Sequence, residues 1–84
     1  MGSEEQDYKI AMRAFYRKYN EMRKYYNLRL RCISGINRET TIKVYKEALN
    51  GRILVLDVQE ADETTCYKRA LEELKSYEMI IRTA

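Results

Sequence analysis

The sequence predicts a small α+β domain dominated by helix, with an all-α fold as the alternative. Three observations carry this. Tyr8, Met12, Phe15, Tyr19, Met22 and Tyr26 recur at gaps of 4, 3, 4, 3 and 4, one face of a long N-terminal helix. Arg52 to Val58 is a short β-branched and aliphatic run bounded by Gly51 and acidic residues, which reads as a buried strand. Cys66, Ala70, Leu71, Leu74, Tyr77 and Ile81 return at helical spacing and mark a C-terminal helix. At 84 residues, 1–84 is one small domain with a modest core and a thin stability margin.

The elements follow in order. Ser3 with Gln6 has capping-box form, and Glu4, Glu5 and Asp7 sit where a helix dipole favours negative charge. The first helix therefore starts near Ser3 and runs at least to Tyr26. Beyond it, residues 28–33 read two ways: a helix continuing to a stop at Ser34-Gly35, or a half-buried strand in which Leu28, Leu30 and Cys32 alternate with Arg29 and Arg31. The absence of glycine and proline between Tyr26 and Ile33 favours the helix.

Residues 38–50 are ambiguous in the same way. Ile42, Tyr45 and Leu49 fall at helical spacing, with Asn37 as a cap and Asn50-Gly51 as a stop. Asn-Gly is also a hairpin signal. A hairpin centred on it would set Glu47 opposite Leu54 and Val44 opposite Asp57, mixing polar and apolar residues on both faces. The short second helix is the preferred expectation. The strand at 52–58 then needs a partner from 28–33, from Met79 to Thr83, or from another copy. The last helix runs from Asp62 or Thr64 to about Tyr77.

Composition narrows function mainly by exclusion. The chain has no histidine, which removes the usual proton shuttle, Ser-His and Cys-His nucleophile pairs and His-ligated metal sites. No Gly-rich phosphate loop or dinucleotide fingerprint occurs. The only two cysteines, Cys32 and Cys66, lack motif spacing and read as free thiols. Asp57, Glu60, Asp62 and Glu63 gather near a helix start, where they serve its dipole. We expect no catalytic residues, no cofactor and no metal. No apolar run is long enough to span a bilayer and no signal-peptide pattern is seen, so the expected location is the cytoplasm, without a membrane partner.

Charge is divided along the chain. Residues 13–31 carry seven basic side chains against Glu21, whereas residues 57–78 carry seven acidic side chains against three basic ones. If the first helix continues past Tyr26, Arg13, Arg17, Lys24 and Arg31 fall within about 40° of one another, opposite the apolar stripe, with Tyr16 on the flank. A basic row beside an aromatic ring suits a phosphate backbone and a stacked base. It also suits a solvated helix face, or one matched to the acidic last helix. The chain has eight tyrosines and no tryptophan. Tyr16 and Tyr25 lie off the stripe and are the contact candidates among them.

Residues 62–82 carry a Thr64-Thr65 entry, an Arg69-Ala70-Leu71-Glu72-Glu73-Leu74 centre and a closing Met79-Ile80. This quarter of the chain resembles the recognition helix and first wing strand of winged-helix DNA-binding domains. The resemblance implies a strand beginning near Met79 and nucleic-acid contact by the last helix. The sequence departs from that pattern in two ways: only Gln59 to Glu63 separate strand from helix, and the helix is acidic. No family is assigned.

The expected function is that of a non-catalytic intracellular binding protein: a small regulator, adaptor or inhibitor that occupies a macromolecular surface, with another protein as first partner. Tyr8, Met12, Phe15, Tyr19, Met22 and Tyr26 are candidate core or homo-oligomer interface. The alternative is nucleic-acid binding through Arg13, Tyr16, Arg17, Lys24 and Arg31.

Overall fold

The computed structural model describes residues 2–34 and 39–83, with residues 2–5 as backbone only. Five elements follow in the order α1 (Gly2–Tyr26), β1 (Leu28–Ile33), β2 (Thr40–Ala48), β3 (Gly51–Glu60) and α2 (Glu63–Thr83). The protein is α+β. The three strands form one antiparallel sheet in the order β1-β2-β3, and both helices cover one of its faces. Tyr8 meets Tyr67 at 5.9 Å and Tyr26 meets Tyr77 at 6.5 Å, so α1 and α2 run side by side in the same direction.

Two expectations are corrected here. Residues 28–33 are a strand, because α1 ends at Asn27. Asn27 adopts φ 57°, and its N–H donates to the Arg23 carbonyl at 3.1 Å. That is the left-handed cap that closes helices, usually built on glycine but open to asparagine. The Asn27 carbonyl then accepts the Glu47 N–H at 3.0 Å, which ties the turn to β2. The expected stop at Gly35 and cap at Asn37 lie outside the described residues.

The short second helix is the other correction. Residues 40–48 are β2, the first arm of a hairpin with β3. The two loop residues are Leu49 and Asn50, and Gly51 opens β3 at φ 127°, a conformation that side chains rarely adopt. This register differs from one centred on Asn-Gly. Glu47 meets Arg52, Lys43 meets Asp57, Val44 meets Leu56 and Ile42 meets Val58. A bulge makes this possible: Val55 is an extra residue between Leu54 (opposite Tyr45) and Leu56 (opposite Val44). It swaps the in–out alternation of β3, so Val44–Leu56 and Ile42–Val58 face the helices while Lys43–Asp57 joins Glu47–Arg52 on the solvent face. The strand expected at 52–58 is there, lengthened, and β2 is its partner.

The C-terminal helix is also longer than expected. Asp62 caps it, accepting the Thr65 N–H and hydroxyl at 2.8 Å each. Those bonds hold the Asp62 carboxyl below its ordinary range. Residues 79–83, the implied wing strand, remain helical.

The core lies between the helices and the sheet. Phe15, Met22, Ile42, Val44, Val58, Cys66 and Leu74 are essentially inaccessible. Rings from both helices interlock there: Phe15 lies 5.7 Å from Tyr67 and 6.2 Å from Tyr19. Tyr19 donates its hydroxyl to the Leu28 carbonyl at 3.3 Å, joining α1 to β1. The Cys66 thiol reaches the carbonyls of Thr40 at 3.4 Å and Val58 at 3.5 Å, so a buried polar atom is satisfied. Burial pushes that thiol up to about 11.

Candidate functional site

The stripe is enclosed within one chain. Phe15, Tyr19 and Met22 are buried, and Tyr8, Met12 and Tyr26 are half-buried against the same core. Its partners are α2 and the sheet, which leaves little of it for a second copy.

The outer side of α1 is different. Arg13, Arg17 and Lys24 are all exposed on the side away from the core. At 1.5 Å per residue, Arg13 and Arg17 are about 6 Å apart along the axis, and Lys24 follows after about 10 Å. Arg31 does not join them. The chain turns back at Asn27, and Arg31 projects from β1 on the opposite, uncovered face of the sheet, in register with Lys43. The four-residue row becomes a three-residue row for that reason.

Alignment on one helix face marks the row, because Lys9, Arg23, Arg31, Lys46 and Lys68 also take part in no ion pair among the described residues. The ion pairs found among the described residues involve Lys18 with Glu78, Arg29 and Arg52 with Glu47, Lys43 with Asp57, Arg69 with Glu60, Lys75 with Glu72, and Arg82 with Glu78. None uses Arg13, Arg17 or Lys24. In the rear half, Asp57 is matched within the sheet, Glu60 by Arg69 from α2, Glu72 within α2, and Glu78 at the α1–α2 rim by Lys18 at 2.5 Å. Lys18 holds the Glu78 carboxyl below its ordinary value. Glu21 is the one acidic neighbour on the outer side of α1 among residues 13–24.

The two contact tyrosines separate. Tyr16 is half-buried, 5.4 Å from Phe15 and 6.0 Å from Tyr67, so its ring belongs to the aromatic cluster. Tyr25 is 83% exposed and, with Asn20, Glu21, Arg23 and Lys24, lines an open depression of about 470 Å³. Its exposure was legible from its place off the stripe; the loss of Tyr16 depended on Tyr67 reaching across from α2.

The carboxylates around the start of α2 serve structural roles. Asp57, Glu60 and Asp62 point to separate tasks: an ion pair with Lys43, one with Arg69, and the α2 cap. Among the described residues no group of three His, Cys, Asp or Glu could hold a metal, and no helix is long and apolar enough to cross a membrane. Cys32 is exposed, with its sulfur 3.8 Å from the Tyr67 hydroxyl, and Cys66 is buried. Comparison with family models, with curated proteins and with solved structures finds no match.

Proposed function

We propose that this chain is a non-catalytic binding protein, a small regulator, adaptor or inhibitor that acts by occupying an anionic surface of another macromolecule. Its working face is the outer side of α1, and a nucleic-acid backbone is the partner this face suits best. One observation carries the reading: Arg13, Arg17 and Lys24 are exposed, aligned and without an ion pair among the described residues, while Asp57, Glu60 and Glu78 pair with other cations. A cation that has no internal partner is free to displace counterions from phosphates, which is the main driving force of non-specific nucleic-acid binding. Tyr25, exposed beside Lys24, adds a ring on which a base can stack.

Ile10 supports a second reading. It is 64% exposed and lies one turn before Arg13 on the same side of α1. An apolar side chain within a basic row suits an acidic protein surface better than phosphates.

Fluorescence anisotropy with labelled single-stranded and duplex oligonucleotides separates the two. The first reading predicts binding in roughly the micromolar range at low salt. It also predicts loss of binding in the Arg13→Glu, Arg17→Glu, Lys24→Glu variant, with the fold intact. No binding to either oligonucleotide at low salt overturns the nucleic-acid reading and leaves the acidic protein surface.

A further inference from the structure

We infer that the end of the molecule formed by the β2–β3 hairpin tip and the last turns of both helices is a peripheral docking surface for a bilayer that carries anionic lipid. Contacts bring these parts together. The Asn27 carbonyl, at the end of α1, accepts the Glu47 N–H of β2, and Leu28 is in register with Lys46. Tyr77 of α2 meets Tyr26 of α1 at 6.5 Å. α2 begins at the other end of the sheet, where the Cys66 thiol reaches the Thr40 and Val58 carbonyls, and it runs back along the sheet. Ile80 lies about 21 Å along α2 from Cys66, and Arg52 lies about 20 Å along β3 from Val58, so the two stand level.

Exposed apolar side chains gather there. Among the described residues eight large hydrophobic side chains are exposed; Tyr25, Leu49, Ile53, Leu54, Met79 and Ile80 belong to this end, and only Ile10 and Ile33 do not. Such a gathering marks an interaction surface, whereas single exposed apolar residues need no explanation. Leu49 is the most prominent. It is fully exposed at the first position of the two-residue loop between Ala48 and Gly51, where glycine, asparagine or aspartate is usual. Full exposure leaves it nothing to pack against in the single chain. Met79 and Ile80, at 68% and 65%, repeat the pattern in the last turns of α2.

Charge names the occupant. Residues 23–29, 46–54 and 78–83 hold six basic side chains against Glu47 and Glu78. Arg23, Lys24 and Lys46 take part in no ion pair among the described residues. Each carboxylate is shared by two cations, Glu47 by Arg29 and Arg52 and Glu78 by Lys18 and Arg82, so neither cancels the excess. The opposite end is acidic: residues 6–9, 39–41 and 59–66 hold Asp7, Glu39, Glu60, Asp62 and Glu63 against Lys9. A second copy docked here about a two-fold axis would set one basic end against another. Nucleic-acid phosphates gain nothing from leucine, isoleucine and methionine. An anionic bilayer surface takes both kinds of side chain: its headgroups attract the cations, and the acyl boundary beneath receives the apolar tip. The polarity of charge turns the basic end towards such a surface and the acidic end away from it. No helix among the described residues is long and apolar enough to cross a membrane, and this end needs only to lie against one. Lys24 and Tyr25 border both this end and the outer side of α1; the experiment leaves them unchanged, so its outcome is separate from what α1 binds.

Co-sedimentation with vesicles tests it, using phosphatidylcholine alone and phosphatidylcholine with about one-third phosphatidylserine. The expected result is binding to the second only, weakening as salt rises. Leu49→Ser with Ile80→Ser weakens it by about tenfold or more, since two apolar side chains no longer enter the acyl boundary. Arg23→Gln with Lys46→Gln weakens it by about thirtyfold. Ile10→Ser with Ile33→Ser, away from this end, leaves it unchanged. All six side chains lie outside the core, so circular dichroism and melting of each variant stay like those of the parent. The chain has no tryptophan, so Leu49→Trp supplies a single indole whose emission shifts to the blue on the anionic vesicles. No binding to those vesicles at low salt overturns the inference. So does equal binding to phosphatidylcholine alone, binding that survives the Leu49 and Ile80 changes, or an indole whose emission does not move. Binding to duplex DNA that is lost with Leu49 and Ile80, without binding to vesicles, overturns it in favour of nucleic acid.

Discussion

The two sides of α1 answer to different demands. The inner side presents Phe15, Tyr19 and Met22 to α2 and the sheet, and each of these side chains is buried in the core. The outer side presents Arg13, Arg17 and Lys24 to solvent, and none of the ion pairs among the described residues uses them. The difference teaches where to look for function. Burial accounts for the first set, whereas the second is exposed and open to a partner.

Breaking the inner side has the largest effect. Phe15→Ala removes a fully buried ring at the centre of the aromatic cluster and should cost about 3–5 kcal/mol, read from denaturant unfolding. For a domain of this size that is a large part of its total stability. Phe15→Asp should leave no folded protein to assay.

The end of the helix comes next, where both sides stop together. Asn27 holds a left-handed conformation, φ 57°. Asn27→Val should cost about 1–2 kcal/mol, because a β-branched residue is strained there. Asn27→Gly should be neutral or slightly stabilising. Equal melting of the two variants contradicts the cap.

Charge reversal at Arg13, Arg17 and Lys24 should change stability by no more than about 0.5 kcal/mol, as exposed positions without partners do. A large loss of stability would show that the outer side is structural after all.

The rim between the helices gives the smallest effect. Glu78 is held below its ordinary value, first by the hydrogen bond from Lys18. Its contribution is therefore present above the pKa of an unfolded glutamate and fades as pH falls through the lower folded value. Lys18→Met should flatten this part of the acid limb of the melting temperature. An unchanged limb removes the pair from the account.

Much of this was legible in the residues. The stripe of α1, the run from Arg52 to Val58 and the apolar face of α2 each carry a period that local structure obeys. The middle was not, for two physical reasons. Asn27 ends a helix without glycine or proline, so β1 was hidden and Arg31 was aligned with a helix it does not belong to. Lys46, Glu47 and Ala48 favour helix, yet they lie in β2, because pairing with β3 outweighs local propensity. A hairpin centred on Asn50-Gly51 would carry mixed pairs on both faces. Those pairs disappear when the loop is Leu49-Asn50 and Val55 is bulged, and a bulge leaves no simple mark in a sequence. The candidate site was legible in its charge and not in its extent: folding back at Asn27 shortened the row, and Tyr67 took Tyr16 into the core.

The central claim is that the outer side of α1 binds anions through Arg13, Arg17 and Lys24. The salt dependence of oligonucleotide binding tests it most directly, measured on the parent and on the variant with all three changed to alanine. If the three contact phosphates, the slope of log K against log salt should become shallower by about 2–3 in the variant. An unchanged slope, or a parent that does not bind at low salt, contradicts the claim.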